Sequence, residues 1–218
     1  TQSHDNVIVL ITEKENIDRK LKSLWYYFPK INTSVEELND NKVKLVFNIS
    51  INDKAKIKKI SFIGNKIYKD KKLKSIILSE EYKFWKFLSG KKFLNEAMIE
   101  YDKRLLNNFY LNKGYFNVVI NSSFAKMIND QEFELVFNIE ANPKLYFGKV
   151  KLNLPTDFSE SNYDSLDKFF NKLENEPYSL YSVENILEKI EDITVNEQYE
   201  SIKATVEETI IDNKINIS

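Results

Sequence analysis

Leu45-Val46-Phe47-Asn48-Ile49 returns ninety residues later as Leu135-Val136-Phe137-Asn138-Ile139. Apolar residues at alternate positions mark a half-buried strand used twice, and the copy extends on both sides of it. Upstream, Asp18-Arg19-Lys20-Leu21 with Trp25-Tyr26 is echoed by Asp102-Lys103-Arg104-Leu105 with Phe109-Tyr110, so helix and strand recur together. Downstream, Asn52 and Lys54 correspond to Asn142 and Lys144, and Ile60 to Val150. A weaker third echo closes the chain, where Asn213-Lys214-Ile215-Asn216-Ile217 resembles Asn41-Lys42-Val43-Lys44-Leu45. A period this long exceeds that of short solenoid repeats and predicts small domains in tandem.

Composition agrees. With 218 residues, 42% hydrophobic and 13% aromatic, the chain can fill two or three small cores. Four Gly and four Pro, without a Gly/Ser-rich or Pro-rich run, predict units that abut through short connections as a semi-rigid rod. No stretch approaches the roughly 20 apolar residues of a spanning helix, and Thr1-Gln2-Ser3-His4 is no basic, apolar signal, which reads as a soluble fragment or a processed chain. Absence of cysteine excludes disulfides and thiolate metal sites and fits either redox compartment. Net charge is −1, but residues 54–92 hold 13 Lys against three acids, and residues 156–212 hold 15 acids against four Lys. Such poles can attract each other or steer different partners, although screening over about 8–10 Å limits both; solvated surface lysines are the simpler reading.

The middle repeat serves as template. Ile57 to Ile63 is a strand in which Ile60 and Phe62 alternate with Lys59 and Ser61, ended by Gly64-Asn65. Asp70 caps a short helix with Leu73, Ile76 and Ile77 on one face. The aromatic insertion Tyr82 to Gly90 is read as a lid on the core, with Phe84, Trp85 and Phe87 as the alternative, an exposed partner patch. Asn95 caps a second helix whose expected buried stripe is Met98, Tyr101, Leu105 and Phe109, and Gly114 stops it. Tyr115 to Phe124 and the alternating stretch Phe133 to Ile139 then form a hairpin around Asn129-Asp130. Strand, helix, helix, strand, strand defines an α+β class, two helices on a three-stranded sheet.

The last repeat follows the same order: strand Tyr146 to Leu152, helix Tyr163 to Leu173, a helix capped by Ser182, and strands Ser201 to Val206 and Lys214 to Ile217. The first holds a helix (Leu21, Leu24, Trp25, Phe28) and a hairpin (Ile31 to Glu37, Val43 to Ile51). Either it is abbreviated or a segment is missing near residues 17–18, in which case Val7 to Thr12 closes a still earlier repeat. The expected domains are 1–52, incomplete; 53–143, complete; and 144–218, truncated at its end.

The residues themselves resemble POTRA domains, the polypeptide-transport-associated modules arrayed on the periplasmic arm of outer-membrane protein assembly factors. Ile60-Ser61-Phe62-Ile63-Gly64-Asn65 is similar to the family's opening strand and Gly-Asn turn. Tyr101 to Tyr115 is similar to its second helix and Gly-Tyr exit, and Trp85 sits in an enlarged connection similar to that of a third domain. The first and last repeats depart from the pattern: Gln198 precedes Tyr199, and no Gly follows Phe28. The resemblance implies a periplasmic, noncatalytic scaffold of outer-membrane protein assembly. It would bind unfolded outer-membrane β-barrel proteins by β-augmentation and dock accessory lipoproteins, with a membrane β-barrel elsewhere in the protein. It also makes the first hairpin strand the polypeptide-binding edge: Phe116, Asn117, Val118, Val119, Ile120, Asn121, Ser122, Ser123 and Phe124. The POTRA arm of another translocation, assembly or cell-division protein is the alternative.

Other functions fare worse on the residues. One His and no Cys leave no Cys-His or Ser-His constellation, no catalytic residue is assigned, and neither cofactor nor metal is expected. Ser89-Gly90-Lys91-Lys92 lacks the upstream Gly and the hydroxyl residue of a phosphate loop. The lysine-rich segment with Tyr68, Tyr82, Phe84 and Trp85 suggests a basic nucleic-acid-binding module as a different-class alternative. Those aromatics fall where a core needs them, Arg is nearly absent, and the neighbouring repeat is acidic, so no nucleic acid is expected.

Overall fold

The computed structural model describes the chain except residues 1, 25, 27, 28, 39–41, 52, 53, 86–89, 130, 157 and 197–202. Contacts gather into two compact units, one of Thr1–Ile63, Asp70–Lys103 and Ser122–Asn138, the other of Gly64–Lys69, Arg104–Asn121 and Ile139–Ser218. Helix α1 (Gln2–Ser23) precedes a hairpin of β1 (Lys30–Leu38) and β2 (Lys42–Ser50). Next come β3 (Lys56–Ile63), α2 (Asp70–Lys74), α3 (Glu96–Leu111), β4 (Val119–Asn129) and β5 (Glu132–Glu140). The same order returns in β6 (Tyr146–Val150), α4 (Asp164–Leu173), α5 (Leu180–Asn196), β7 (Glu208–Ile211) and β8 (Lys214–Ile217).

The sheets are ordered β1-β2, β3-β5-β4 and β6-β8-β7. In each three-stranded sheet the last strand of the repeat is central and pairs in parallel with the first, Ile60 opposite Leu135 and Phe147 opposite Ile215. The alternation predicted for β5 holds, since Phe133, Leu135, Phe137 and Ile139 are all buried. Each such side chain withdrawn from water stabilises the unit by about 1.5–3 kcal/mol. Phe137 stacks on Phe62 with ring centroids 5.5 Å apart. The opening strands are less regular than strict alternation suggests. The register shifts between Ile57 and Lys59 in β3, and between Phe147 and Val150 in β6. This irregularity lets residues three apart, Ile57 with Ile60 and Phe147 with Val150, all enter the cores.

On α3 the buried stripe is not Met98, Tyr101, Leu105 and Phe109 but their neighbours Ile99, Asp102, Leu106 and Tyr110; Tyr101 is exposed. The cause is Asp102, a charged residue placed inside. Its carboxylate accepts hydrogen bonds from Leu78 N (2.6 Å) and Ser79 N (3.2 Å), backbone groups of the turn that follows α2. Val183, Ile186, Ile190 and Thr194 of α5, each 84 positions on from an α3 stripe residue, are buried likewise, with Ile186 where α3 has the carboxylate. Asn95 is the expected cap, accepting from Met98 N at 3.0 Å. For α5 the cap is Ser179, whose Oγ accepts from Ser182 N at 3.3 Å, and the helix begins at Leu180, before the expected Ser182.

Three further expectations change. Val7 to Thr12 lies inside α1, a run from Gln2 to Ser23 without Gly or Pro to break it, and is not a strand. Of the strand expected over Ser201 to Val206, Ser201 and Ile202 lie outside the described residues and Lys203 to Val206 are not strand; the strand is β7, Glu208–Ile211. A two-residue turn sets its register: Asp212 and Asn213 both take positive φ (47° and 62°), the geometry that suits a tight hairpin and pairs Ile211 with Lys214. Leu24 of the first helix face is exposed, and Trp25 and Phe28 lie outside the described residues.

Replacing Asp102 by Ala leaves two N–H groups without their acceptor in the core and is expected to cost about 2–4 kcal/mol in guanidinium unfolding. Asn, which keeps one acceptor oxygen, should recover part of that loss. A deficit for Asp102→Ala below about 1 kcal/mol would contradict the role given to this carboxylate.

Candidate functional site

An edge strand presents unpaired N–H and C=O groups that another chain can adopt, so the condition of each sheet edge decides what the sheet can bind. The β3 edge is closed by the segment that follows α2. Tyr82 N donates to Ile57 O (2.6 Å), Leu94 N to Ala55 O (2.9 Å), and Lys56 is bridged antiparallel to Phe93. Glu81 completes the closure by accepting from Ile60 N at 3.0 Å. Burial pushes the Glu81 carboxyl up, but hydrogen bonds from Lys74 and Ile60 outweigh it and hold the group below the ordinary carboxylate value. In the last repeat β6 is closed in the same way. Phe147 N donates to Glu176 O (2.8 Å), Asn175 N to Phe147 O (2.9 Å), and Tyr146 is bridged to Pro177.

On the other side, β4 pairs only with β5, and among the described residues no strand lies along its outer edge. It is 11 residues long, and its sequence contains no Pro and a single Lys, Lys126, so the usual devices that blunt an edge are sparse. Within the expected binding stretch, strand begins only at Val119, because Tyr115 to Val118 form a turn. Phe116 is half-buried, edge-on to Tyr178 at 5.0 Å; Asn117 O accepts from Asn142 Nδ2 at 2.6 Å; Val118 is buried. Val119 and Asn121 are exposed, Ile120 and Ser122 half-buried, and the side chains of Ser123 and Phe124 lie outside the description.

The start of β4 is fixed by the expected Gly114 stop together with residues that sequence reading did not single out. Helix α3 ends on Gly114 at φ +90°, with Gly114 N bonded to Leu111 O and Tyr115 N to Tyr110 O, the paired bonds of a Schellman stop. Leu145 N then donates to Gly114 O (2.8 Å), and Tyr178 N to Leu145 O (3.0 Å). A Cβ at residue 114 would lie 3.1 Å from that same Leu145 oxygen. Asn112 Oδ1 accepts from Ser179 Oγ (3.1 Å) and from Tyr181 N (2.7 Å), so a side chain of one repeat satisfies the first turn of α5 in the next. Tyr178 is buried and donates to Glu208 at 2.7 Å; burial first, then that bond, push its phenol far above the ordinary tyrosine value. Only the Gly-Tyr exit carried a sequence signal for this joint. Its partners are between 30 and 70 positions downstream.

The aromatic insertion divides in two. Tyr82 is half-buried, beneath Lys56 and Lys92 at 5.1 and 5.3 Å, and Tyr68 packs edge-on to Phe109, Tyr110 and Tyr115. Neither ring is available for base stacking. Phe84 and Trp85, by contrast, are 77% and 60% exposed, 4.7 Å apart edge-to-face, with Lys83 over the indole; they do not lid the core, and Phe87 lies outside the described residues. Among the described residues there is no cluster of metal-ligating side chains, and no helix is long and apolar enough to cross a membrane.

Two parallel-closed sheets, each backed by helices and ended by a hairpin, define tandem POTRA architecture. Residues 55–142 match the POTRA family model, described as surface antigen variable number repeat. The chain is 27% identical over 122 residues to outer membrane protein assembly factor BamA of Neorickettsia risticii (strain Illinois), covering 56% of this chain and 16% of that protein. It is 27% identical over 129 residues to BamA of Neisseria meningitidis serogroup B (strain ATCC BAA-335 / MC58), covering 59% and 16%. The crystal structure of Haemophilus influenzae BamA POTRA3-5 superposes with a TM-score of 0.54 at 12% identity, over 93% of this chain and 77% of that one, and shares the fold. The resemblance to a BamA-type POTRA array, and the α+β class, are thus borne out; the chain spans 16% of the length of the relatives it matches.

Asn112→Ala should cost about 1 kcal/mol in thermal or denaturant unfolding, the size of a lost N-terminal acceptor. Tyr178 should make stability fall at alkaline pH. Below the unfolded value of about 10 the phenol is neutral in both states, whereas above it the unfolded chain releases a proton that the folded chain retains. Tyr68 and Tyr110, also raised by burial, contribute in the same sense. Tyr178→Phe should flatten, without abolishing, the alkaline limb of stability measured between about pH 8 and 11.

Proposed function

We propose that the chain is the periplasmic POTRA arm of an outer-membrane protein of the BamA type. In this reading its domains fall at residues 1–52, 53–143 and 144–218, and they carry no catalytic group. The arm takes up unfolded outer-membrane β-barrel polypeptides as an added strand along β4 and passes them to a membrane β-barrel in the same protein. The observation that supports this reading is the asymmetry of the middle sheet, whose β3 edge is occupied by Tyr82, Leu94 and Glu81 while β4 has no outer partner among the described residues. Main-chain pairing gives affinity with little demand on sequence, which suits a site that must accept many clients. The half-buried Ile120 and exposed Val119 and Asn121 offer a mixed surface, better matched to transient contact than to permanent burial. The exposed pair Phe84 and Trp85 is the docking point for an accessory lipoprotein, since aromatic side chains standing clear of a surface carry much of the energy at interfaces.

Amide NMR of the labelled chain with a peptide from an outer-membrane β-strand is the direct measurement. Shifts are expected along Val119–Asn129, retained with a scrambled peptide of similar β-propensity. N-methylating two alternate amides on one edge of the peptide should weaken binding about tenfold. Shifts confined to helix faces would overturn strand addition, and salt-sensitive retention of an oligonucleotide would favour the nucleic-acid reading instead.

A further inference from the structure

The connection between α2 and α3 is tied down at its base and carries two bare rings beyond it. Glu80 N donates to Lys91 O (2.9 Å), Tyr82 N to Ile57 O and Leu94 N to Ala55 O, so the chain departs from the fold and returns to it at one place. Between these anchors Phe84 and Trp85 stand edge-to-face, 77% and 60% exposed. Large apolar side chains held in water together mark a contact surface. Their charge setting is one-sided. From Tyr82 to Asn95 the sequence has four lysines, Lys83, Lys86, Lys91 and Lys92, and no acid. Lys92 is buried, its Nζ 5.3 and 5.5 Å over the rings of Tyr82 and Phe93, and belongs to the base. Lys83 and Lys91 are exposed, and Lys83 Nζ lies 5.7 Å from the indole centroid. Glu81, the acid that precedes this stretch, is engaged by Lys74 and by Ile60 N.

We propose that this finger contacts a lipid bilayer bearing anionic headgroups, with Phe84 and Trp85 in the interfacial layer and Lys83 and Lys91 at the headgroups. The rings alone suit a protein partner equally. The lysines decide, because Lys is depleted from protein interfaces, whereas beside an anionic bilayer each one adds to affinity. Trp is enriched where a chain meets a bilayer, its apolar body toward the acyl region and its indole N–H toward the headgroups. A lysine beside the indole keeps its ammonium in water while the ring goes in. Two rings also fall short of the roughly 800 Å² per partner that a stable protein interface takes, but with added charge they suffice for reversible attachment to a membrane surface. This goes beyond the lipoprotein docking proposed for the same pair. The rings serve one contact at a time, so bilayer and lipoprotein compete for them.

The test uses the full chain and vesicles of phosphatidylcholine, alone or with about one quarter phosphatidylglycerol. The sequence has two tryptophans, so Trp25→Phe leaves Trp85 as the sole indole reporter. With anionic vesicles the chain is expected to float, and Trp85 emission to shift to shorter wavelength and to be quenched by lipids brominated on their acyl chains. Affinity should fall about tenfold or more on phosphatidylcholine alone, and likewise as salt is raised. In flotation, Phe84→Ser with Trp85→Ser should abolish binding, and Lys83→Gln with Lys91→Gln should weaken it about tenfold, with thermal unfolding unchanged in both because all four side chains are exposed. Binding to neither vesicle overturns the proposal and leaves the rings to a protein partner. So does equal binding to both vesicles, or binding that neither quenches Trp85 nor depends on the two rings. Bare vesicles contain no protein, and shifts along Val119–Asn129 with a client peptide are measured apart, so failure here is distinguishable from failure of the function proposed above.

Discussion

Parallel pairing between the first and last strands of a repeat is the constraint from which the remaining geometry follows. Once Ile57 to Ile63 lies beside Phe133 to Asn138, β5 must be central, and its hairpin partner β4 can only be an edge. The same holds for β6, β8 and β7. Parallel strands need a long crossover, and here the crossover contains both helices, which therefore fall on one face of the sheet and bury Leu135, Phe137 and Ile139. A shifted register in each opening strand serves this arrangement by turning two apolar residues inward over three positions.

The two edges of such a sheet are not equivalent. The crossover leaves from β3, so the chain can fold back and close that edge with its own backbone, as Tyr82 and Leu94 do and as Asn175 and Glu176 do in the next repeat. Among the described residues no strand of the same repeat lies along β4's outer edge, and the chain leaves β4 through a turn in which Asn129 Oδ1 accepts from Gln131 N and Glu132 N. The open edge is thus a by-product of topology, available in every repeat that has a hairpin. What distinguishes one repeat from another is how the start of the edge strand is held, here by Gly114, Leu145, Asn112 and Tyr178.

Much of this was legible in the sequence, and the exceptions have physical causes. Alternation located β5, the Asn95 cap and Gly114 stop bounded α3, and the repeated pentapeptide implied the tandem plan. The α3 stripe lies one residue on from the expected one because a carboxylate buried against two backbone N–H groups, that of Asp102, is invisible to a hydrophobic pattern. The strand β7 was placed too early because the turn that sets it, Asp212-Asn213, requires two left-handed residues and carries no Gly to announce them. The candidate edge was named from family resemblance, and its freedom depends on which distant segments close the neighbouring strand. No local pattern encodes that.

The separation between paired strands also orders the events of folding. Ile60 and Leu135 stand 75 positions apart, whereas β4 and β5 are joined by two residues. Hairpins close in roughly 1–10 μs, while contacts between distant segments wait on loop closure. Each complete repeat therefore passes through a stage in which its hairpin has formed and the central strand still lacks its parallel neighbour. The two-stranded sheet of the first repeat has the shape of that intermediate. Until its parallel pairing is made, each complete repeat leaves one apolar central strand unpaired, the state in which it is most open to mispairing with another chain.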